Sequence, residues 1–262
     1  MPSGKSVIYF ISINTLFASL GTLDYYIYTD ISPFLLFFPI LLKYLLVYWS
    51  ISYASQSRPY ITEAFIKRDT SLYSNALDIL STSLFNFFMT LLIARYFSVA
   101  TVPYNEYVFF IPNTFVYEIG FDFFHYVSHR ALHSVPFIYR LPHKYHHQDH
   151  RISVVTTFHH SLADLILTNL FPLVCISYLY PLPLRTYFIW SWFKTLVEMG
   201  GHSGKYGKSS SFPQCVWIPK ALGIEMYADN HNKHHTNPEV NFSKRFALWD
   251  KIFGTFRDGI YN

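Results

Sequence analysis

Residues 107–133, YVFFIPNTFVYEIGFDFFHYVSHRALH, run from an apolar segment straight into a ladder of histidines. Crossing a bilayer core takes about 20 mostly apolar residues in a helix, and Tyr107–Phe124 is such a candidate. At about 100° per residue, Glu118, Asp122, His125, His129 and His133 share one stripe of that helix, within roughly 80°. His-x-x-x-His at i, i+4 sets two imidazoles side by side, the spacing a metal needs from one helix. Glu118 and Asp122 stand where they would orient the ring N–H groups, as metal-bound histidines require. The competing possibility is a polar stripe that faces other polar groups.

Working outward, further apolar segments are Val7–Tyr28, Pro33–Ser50 and Leu72–Phe97 before this stretch, and Leu162–Tyr180 and Leu184–Met199 after it. Lys5 ahead of the first segment mimics a secretory signal. The run continues through Tyr28 without a small-residue cleavage site, so a membrane span is expected. Asp24, Lys43, Asp78 and Arg95 interrupt the spans, and such charges usually face a bundle interior or snorkel to the interface. Lys43 has no partner readable from the sequence. Of the 20 basic residues, twelve lie in Arg130–Arg151 and Lys205–Arg257. Basic loops stay on the cytosolic side, so the N-terminus, the Ser52–Ser71 loop and both polar stretches are expected there.

Composition agrees. Of 262 residues, 51% are apolar, 20% aromatic and 14% charged, whereas soluble domains carry about a quarter charged residues. Only eleven charged side chains lie between Val7 and Phe110. A disordered chain is excluded, and a soluble globule does not fit. The fold class expected is all-α: a multi-pass membrane helix bundle with a cytosolic histidine-rich helical cap. Residues 1–105 would form N-terminal transmembrane helices. Residues 106–257 would form a second, histidine-bearing domain with a transmembrane hairpin at about 162–199, and 258–262 a short tail. Net charge is +4, but the basic residues do not alternate with aromatics for base stacking, so no nucleic-acid partner is expected. Cys175 and Cys215 make no disulfide framework or C-x-x-C motif.

All 13 histidines fall between His125 and His235. His143-Lys-Tyr-His146-His147 and His231-Asn-Lys-His234-His235 repeat one spacing, in which i, i+3 and i+4 would converge on one helical face. His202, in Glu198-Met-Gly-Gly-His202-Ser-Gly, is a candidate ligand at the end of the last span. Glu198 is either a ligand, a supporting group or a helix-end carboxylate. His160, with Asp164 one turn later, could lie near the site, while His150 and His159 are expected at the surface. Imidazole suits zinc, copper, iron and nickel alike, so ligand type does not name the metal. Nine well-spaced histidines exceed one tetrahedral zinc and suffice for two open centres. A zinc-protease H-E-x-x-H, a G-x-S-x-G elbow and a P-loop are all missing. Gly201-x-x-Gly204-x-x-Gly207 follows a span, not a strand, and is no dinucleotide fingerprint.

HRALH (129–133), HKYHH (143–147), GHSG (201–204), HNKHH (231–235) and the closing NFSKRFALWDKIFGTF (241–256) together resemble the fatty acid hydroxylase/sterol desaturase superfamily. The likeness covers about Asn113 to Phe256. It implies a non-haem di-iron centre on His129, His133, His143, His146, His147, His202, His231, His234 and His235, with no catalytic residue beyond the ligands. His125, which matches the 4-methylsterol oxidase branch, and His160, Asp122 and Glu198 would be supporting candidates. Two iron ions would hydroxylate or desaturate an apolar lipid with O2, using electrons from cytochrome b5 and an NAD(P)H-dependent reductase. The expected location is the endoplasmic reticulum membrane. The resemblance implies a sterol first, with a sphingoid base or fatty acyl chain as the alternative substrate. Apolar walls would grip the lipid by burial, and the basic loops Lys205–Lys220 and Lys244–Arg257 would dock an acidic carrier. Two other classes compete. A metal transporter would place ligands along its spans, and a catalytically silent relative would bind lipid without turnover.

Overall fold

Away from water, backbone polar groups must satisfy one another, so the apolar runs form helices. The computed structural model describes residues 3–61, 72–99, 103–135, 137, 139–148, 152–207 and 211–259. His150, the basic residues Lys67, Arg68 and Arg151, and the end of the tail lie outside the described residues. Helix α1 covers Gly4–Tyr26, its first turn capped by Ser3, and a wider turn carries it on to Ile31. Ser32 breaks out into extended backbone, and Pro33 then starts a short turn into α2, Phe37–Ser55. Next come α3, Leu72–Tyr96, the short α4, Pro103–Val108, and α5, Phe110–Ser134. Helix α6 spans Leu162–Leu179 with a π turn at Ile166–Leu170. After it follow α7, Leu184–Gly201, α8, Trp217–Leu222, α9, Ala228–Thr236, and α10, Leu248–Ile252. Among the described residues there is no strand, only two isolated bridges.

Among the described residues, four helices are long and apolar enough to cross a membrane: Gly4–Ile31, Pro33–Ser55, Tyr73–Tyr96 and Leu162–Leu179. The two remaining predicted spans, Tyr107–Phe124 and Leu184–Met199, fall in α5 and α7 and do not join that set. The reason is visible in α7. It carries Arg185, Lys194 and Glu198 and forms the centre of the bundle, with every side chain from Thr186 to Thr195 buried. It is apolar enough to be enclosed by protein, and it contacts α1, α2, α4, α5 and α9.

Polar groups of the outer spans turn toward this centre, as intramembrane charge should. Lys43 of α2 is buried and donates to Ser191 Oγ at 3.1 Å, and Trp192 Nε1 donates to Asp24 at 2.9 Å. Helix α1 can lie this close because residue 21 is glycine: a Cβ there would come within 2.4 Å of Ile189 Cα. The opposite faces expose Ile8, Leu16, Phe38, Trp49 and Phe88, a lipid-facing surface rather than one made for water.

Candidate metal centre

The histidines gather from four places: the last turns of α5, the irregular stretch Tyr139–Gln148, the end of α7, and α9. They form two adjacent groups. His129, His133, His143, His147 and His234 make one, and His146, His202, His231 and His235 the other. Within each group the ligand atoms lie within 4.8 Å of one another. The groups abut where the His147 and His235 rings stand 4.6 Å apart. All nine residues lie outside the four apolar spans.

The three imidazoles of each H-x-x-H-H motif therefore do not converge, contrary to the sequence expectation. The i, i+4 pair goes to one group and the i+3 residue to the other. In α9 the reason is geometric: His231 and His235 are about 40° apart around the axis, whereas His234 and His235 are about 100° apart. The first motif divides the same way although its backbone is not an α-helix.

Ring orientation is set mainly by main-chain oxygen. Nδ1 of His129 donates to Phe242 O at 2.7 Å and that of His234 to Val240 O at 2.7 Å. Nδ1 of His146 donates to His159 O at 3.1 Å, and that of His202 to Glu198 O at 2.9 Å. A carbonyl can only accept, so each of these neutral rings turns an Nε2 lone pair inward. Those atoms crowd together. His129 and His143 Nε2 are 3.0 Å apart, His143 and His147 3.0 Å, and His202 and His231 3.0 Å. Nitrogens bound at right angles about 2.1 Å from one ion have a separation of about 3 Å. His234 Nε2 and both nitrogens of His235 are buried with no partner. Buried lone pairs facing one another without shared protons are costly unless a cation lies among them, so the donor set fits a metal.

Burial, followed by neighbouring imidazoles, pushes most of these rings far below the ordinary histidine range. His133 falls to about 2, and His202 and His234 to about 3. His129, His146, His147, His231 and His235 are lowered as well. Neutral imidazole is the form that binds metal.

The supporting residues differ from expectation. Glu118 and Asp122 lie on the buried stripe of α5 but touch no imidazole N–H. Glu118 accepts from Trp190 Nε1 and Gln214 Nε2. Asp122 accepts backbone N–H bonds from Lys244, Arg245 and Phe246 at 2.7, 2.8 and 3.1 Å. Asp250 holds the N–H groups of Phe242 and Ser243. Between them the two aspartates fix the strap at residues 240–246, whose carbonyls orient His234 and His129. Asn241 makes the turn in a left-handed conformation, φ 55°, and its amide donates to Asn230 O and Arg257 O.

Among the described residues, Asp164 is the one carboxylate on an imidazole of either group. It meets His143 Nδ1 at 2.8 Å and also His160 Nδ1. His160 stacks on His146 with centroids 4.3 Å apart, and His146, His160 and Asp164 form a third cluster of metal-binding type. His159 is buried rather than at the surface. His125 belongs to neither group, and its Nδ1 is held by Thr168 O of the π turn at 2.8 Å.

Both histidine groups lie inside a match to a known family: a model of the fatty acid hydroxylase family covers residues 114–255, more than half of the chain. This chain belongs to the fatty acid hydroxylase family. Among its relatives, a fatty acid hydroxylase of Lecanicillium sp is 31% identical over 153 residues, 55% of this chain and 42% of that protein. Human cholesterol 25-hydroxylase is 28% identical over 139 residues, 52% and 48% of the two chains. Methylsterol monooxygenase erg25B of Aspergillus fumigatus is 27% identical over 164 residues, 60% and 49%. The chain thus spans about half the length of the curated relatives it matches. No solved structure matches it significantly.

In this fatty acid hydroxylase family member Glu198 is a buried hub. Lys194, Lys244 and Arg245 approach its carboxylate at 2.7, 3.0 and 3.3 Å. Neither group includes its carboxylate, while its backbone oxygen orients His202. Lys244 and Arg245, expected on a basic docking face, are therefore turned inward.

Proposed function

We propose that this chain is a membrane oxygenase that holds two iron ions, one in each histidine group, and hydroxylates or desaturates an apolar lipid. His129, His133, His143, His147 and His234 would hold one ion, and His146, His202, His231 and His235 the other. Bound iron supplies activation of O2 for attack on an unactivated C–H bond. The protein's part is to keep the imidazoles neutral, fix their rotation through Nδ1 and screen them from bulk water. A sterol is the first substrate expectation, given relatives named cholesterol 25-hydroxylase and methylsterol monooxygenase. A sphingoid or fatty-acyl lipid is the alternative, in line with the relative named fatty acid hydroxylase.

Electrons would come from cytochrome b5 and an NAD(P)H-dependent reductase. The proposed location is the endoplasmic reticulum, with the N-terminus and the histidine cap cytosolic. The observation that carries the reading is the convergence of nine histidines, all buried but the part-exposed His133, into two adjoining groups with Nε2 lone pairs facing inward.

The test is lipid and sterol mass profiling of a eukaryotic host expressing the chain, beside one expressing His234→Ala. A lipid that gains one oxygen or loses two hydrogens only with the intact chain is the expected result. Unchanged lipids from a chain that purifies with iron would defeat it. A silent relative would leave lipids unchanged, and a transporter would alter cellular metal instead.

A further inference from the structure

Beside His202 and His160 a cavity of about 20 Å³ lies between α2, α3, α6 and α7. Phe158 and Leu165 give its walls an apolar part, but polar side chains face it as well, against the sequence expectation of a purely apolar grip. Tyr44, Thr82, Asn86, Thr157 and Asn169 line it along with Lys194 and Glu198. Two hydroxyl oxygens there, Thr82 Oγ1 and Thr157 Oγ1, are buried and have no partner. Thr82 is only 6% exposed. An orphaned hydroxyl inside a membrane bundle is costly unless something fills the site. The volume suits one hydroxyl- or water-sized group and is far too small for a phosphate head or a sterol ring.

Two of these four helices, α3 and α6, carry an apolar surface on another side. A groove of about 470 Å³ opens along α3 and α6, lined by Leu84, Phe85, Phe88, Met89, Leu162 and Leu170. Phe88 and Leu162 are well exposed on the face that meets lipid. Helix α3 therefore presents Leu84 and Phe88 to an apolar body, and Thr82 and Asn86 to a small polar group beside the four-histidine group.

Resting on the oxygenase reading above, we propose that Thr82, with Thr157 and Asn86, is the specificity-determining contact for a hydroxyl on the substrate. The carbon oxidised then lies within a few bonds of that hydroxyl. This narrows the substrate class to a lipid attacked near its polar end, such as a sterol near its ring hydroxyl or a sphingoid base near its head. An apolar sterol side chain or acyl terminus in this cavity would strand both threonine hydroxyls.

The test locates the oxidised carbon by fragmentation of the product found in the profiling experiment. It then compares the full-length wild type with Thr82→Val on that substrate and on its deoxy analogue. The expected product is modified next to the hydroxyl. Thr82→Val should lose about tenfold in kcat/KM on the hydroxylated substrate and little on the deoxy analogue, with iron content unchanged. Thr82→Ser should restore turnover, and Thr157→Val serves if Thr82→Val fails to fold. Oxidation at a remote apolar end, or threonine variants that match the wild type, would overturn this inference alone. No oxidised lipid from the wild type would overturn the oxygenase reading together with it.

Discussion

The two histidine groups are built from one motif used in opposite senses, yet they are held differently. The five-histidine group is fastened by Phe242 O, Val240 O and the Asp164 carboxylate, and Asp122 and Asp250 clamp the strap that supplies the two carbonyls. The four-histidine group is fastened by His159 O and Glu198 O, and His235 has both ring nitrogens unpartnered. Its His202 and His231 line a cavity with Tyr227 and Lys244, and His202 also borders the polar cavity beside Thr82. One group thus lies beneath a strap, with His133 its part-exposed member, and the other is buried but borders both small cavities.

Substitutions can break that contrast. The largest effect is expected from His143→Ala, because His143 Nε2 faces both His129 and His147. Turnover should fall by more than about a hundredfold, and metal analysis of the purified protein should show one of the two ions missing. Retention of both ions would show that the five-histidine group is not a ligand set.

Asp164→Asn keeps the shape but removes the charge behind His143 and His160. Iron affinity of the five-histidine group should weaken about ten- to hundredfold in chelator competition, with turnover recovering in excess iron. Equal weakening of both sites would erase the distinction drawn here.

Asp122→Asn acts at a distance, on three backbone N–H groups of the strap. A stability loss of about 1–3 kcal/mol is expected in detergent unfolding, and the five-histidine group should release its iron first. Smallest of all should be His125→Phe. Its ring stacks on Phe121 and is held by Thr168 O, outside both groups, so stability should change by about 1 kcal/mol with iron content unaltered. Loss of iron there would enlarge the ligand set.

Much of this was legible in the chain. Three of the apolar runs before residue 100 became the helices expected, and the stripe from Glu118 to His133 is the buried side of α5, with only His133 part-exposed. The nine histidines named by resemblance fall into the two groups, with His160 and Asp164 clustered beside His146. What the stripe could not tell was its partners. Asp122 looked like a group that orients imidazole and instead grips a strap more than a hundred residues later. Lys43, with no partner in the sequence, finds Ser191 only because α7 lies against α2. His159, expected at the surface, is covered by the fold and lends its carbonyl to His146.

Spacing along a helix is local. It decides which side chains share a face, so the sequence by itself determined four of the six expected apolar spans, the i, i+4 histidine pairs and the family. Which face meets which is decided by segments far apart in the chain that pack together. Only the tertiary structure could therefore divide each H-x-x-H-H motif between two groups or place the carbonyls of Val240 and Phe242 on His234 and His129. A main-chain oxygen carries no residue signature, and its direction exists only once the strap is folded over α5.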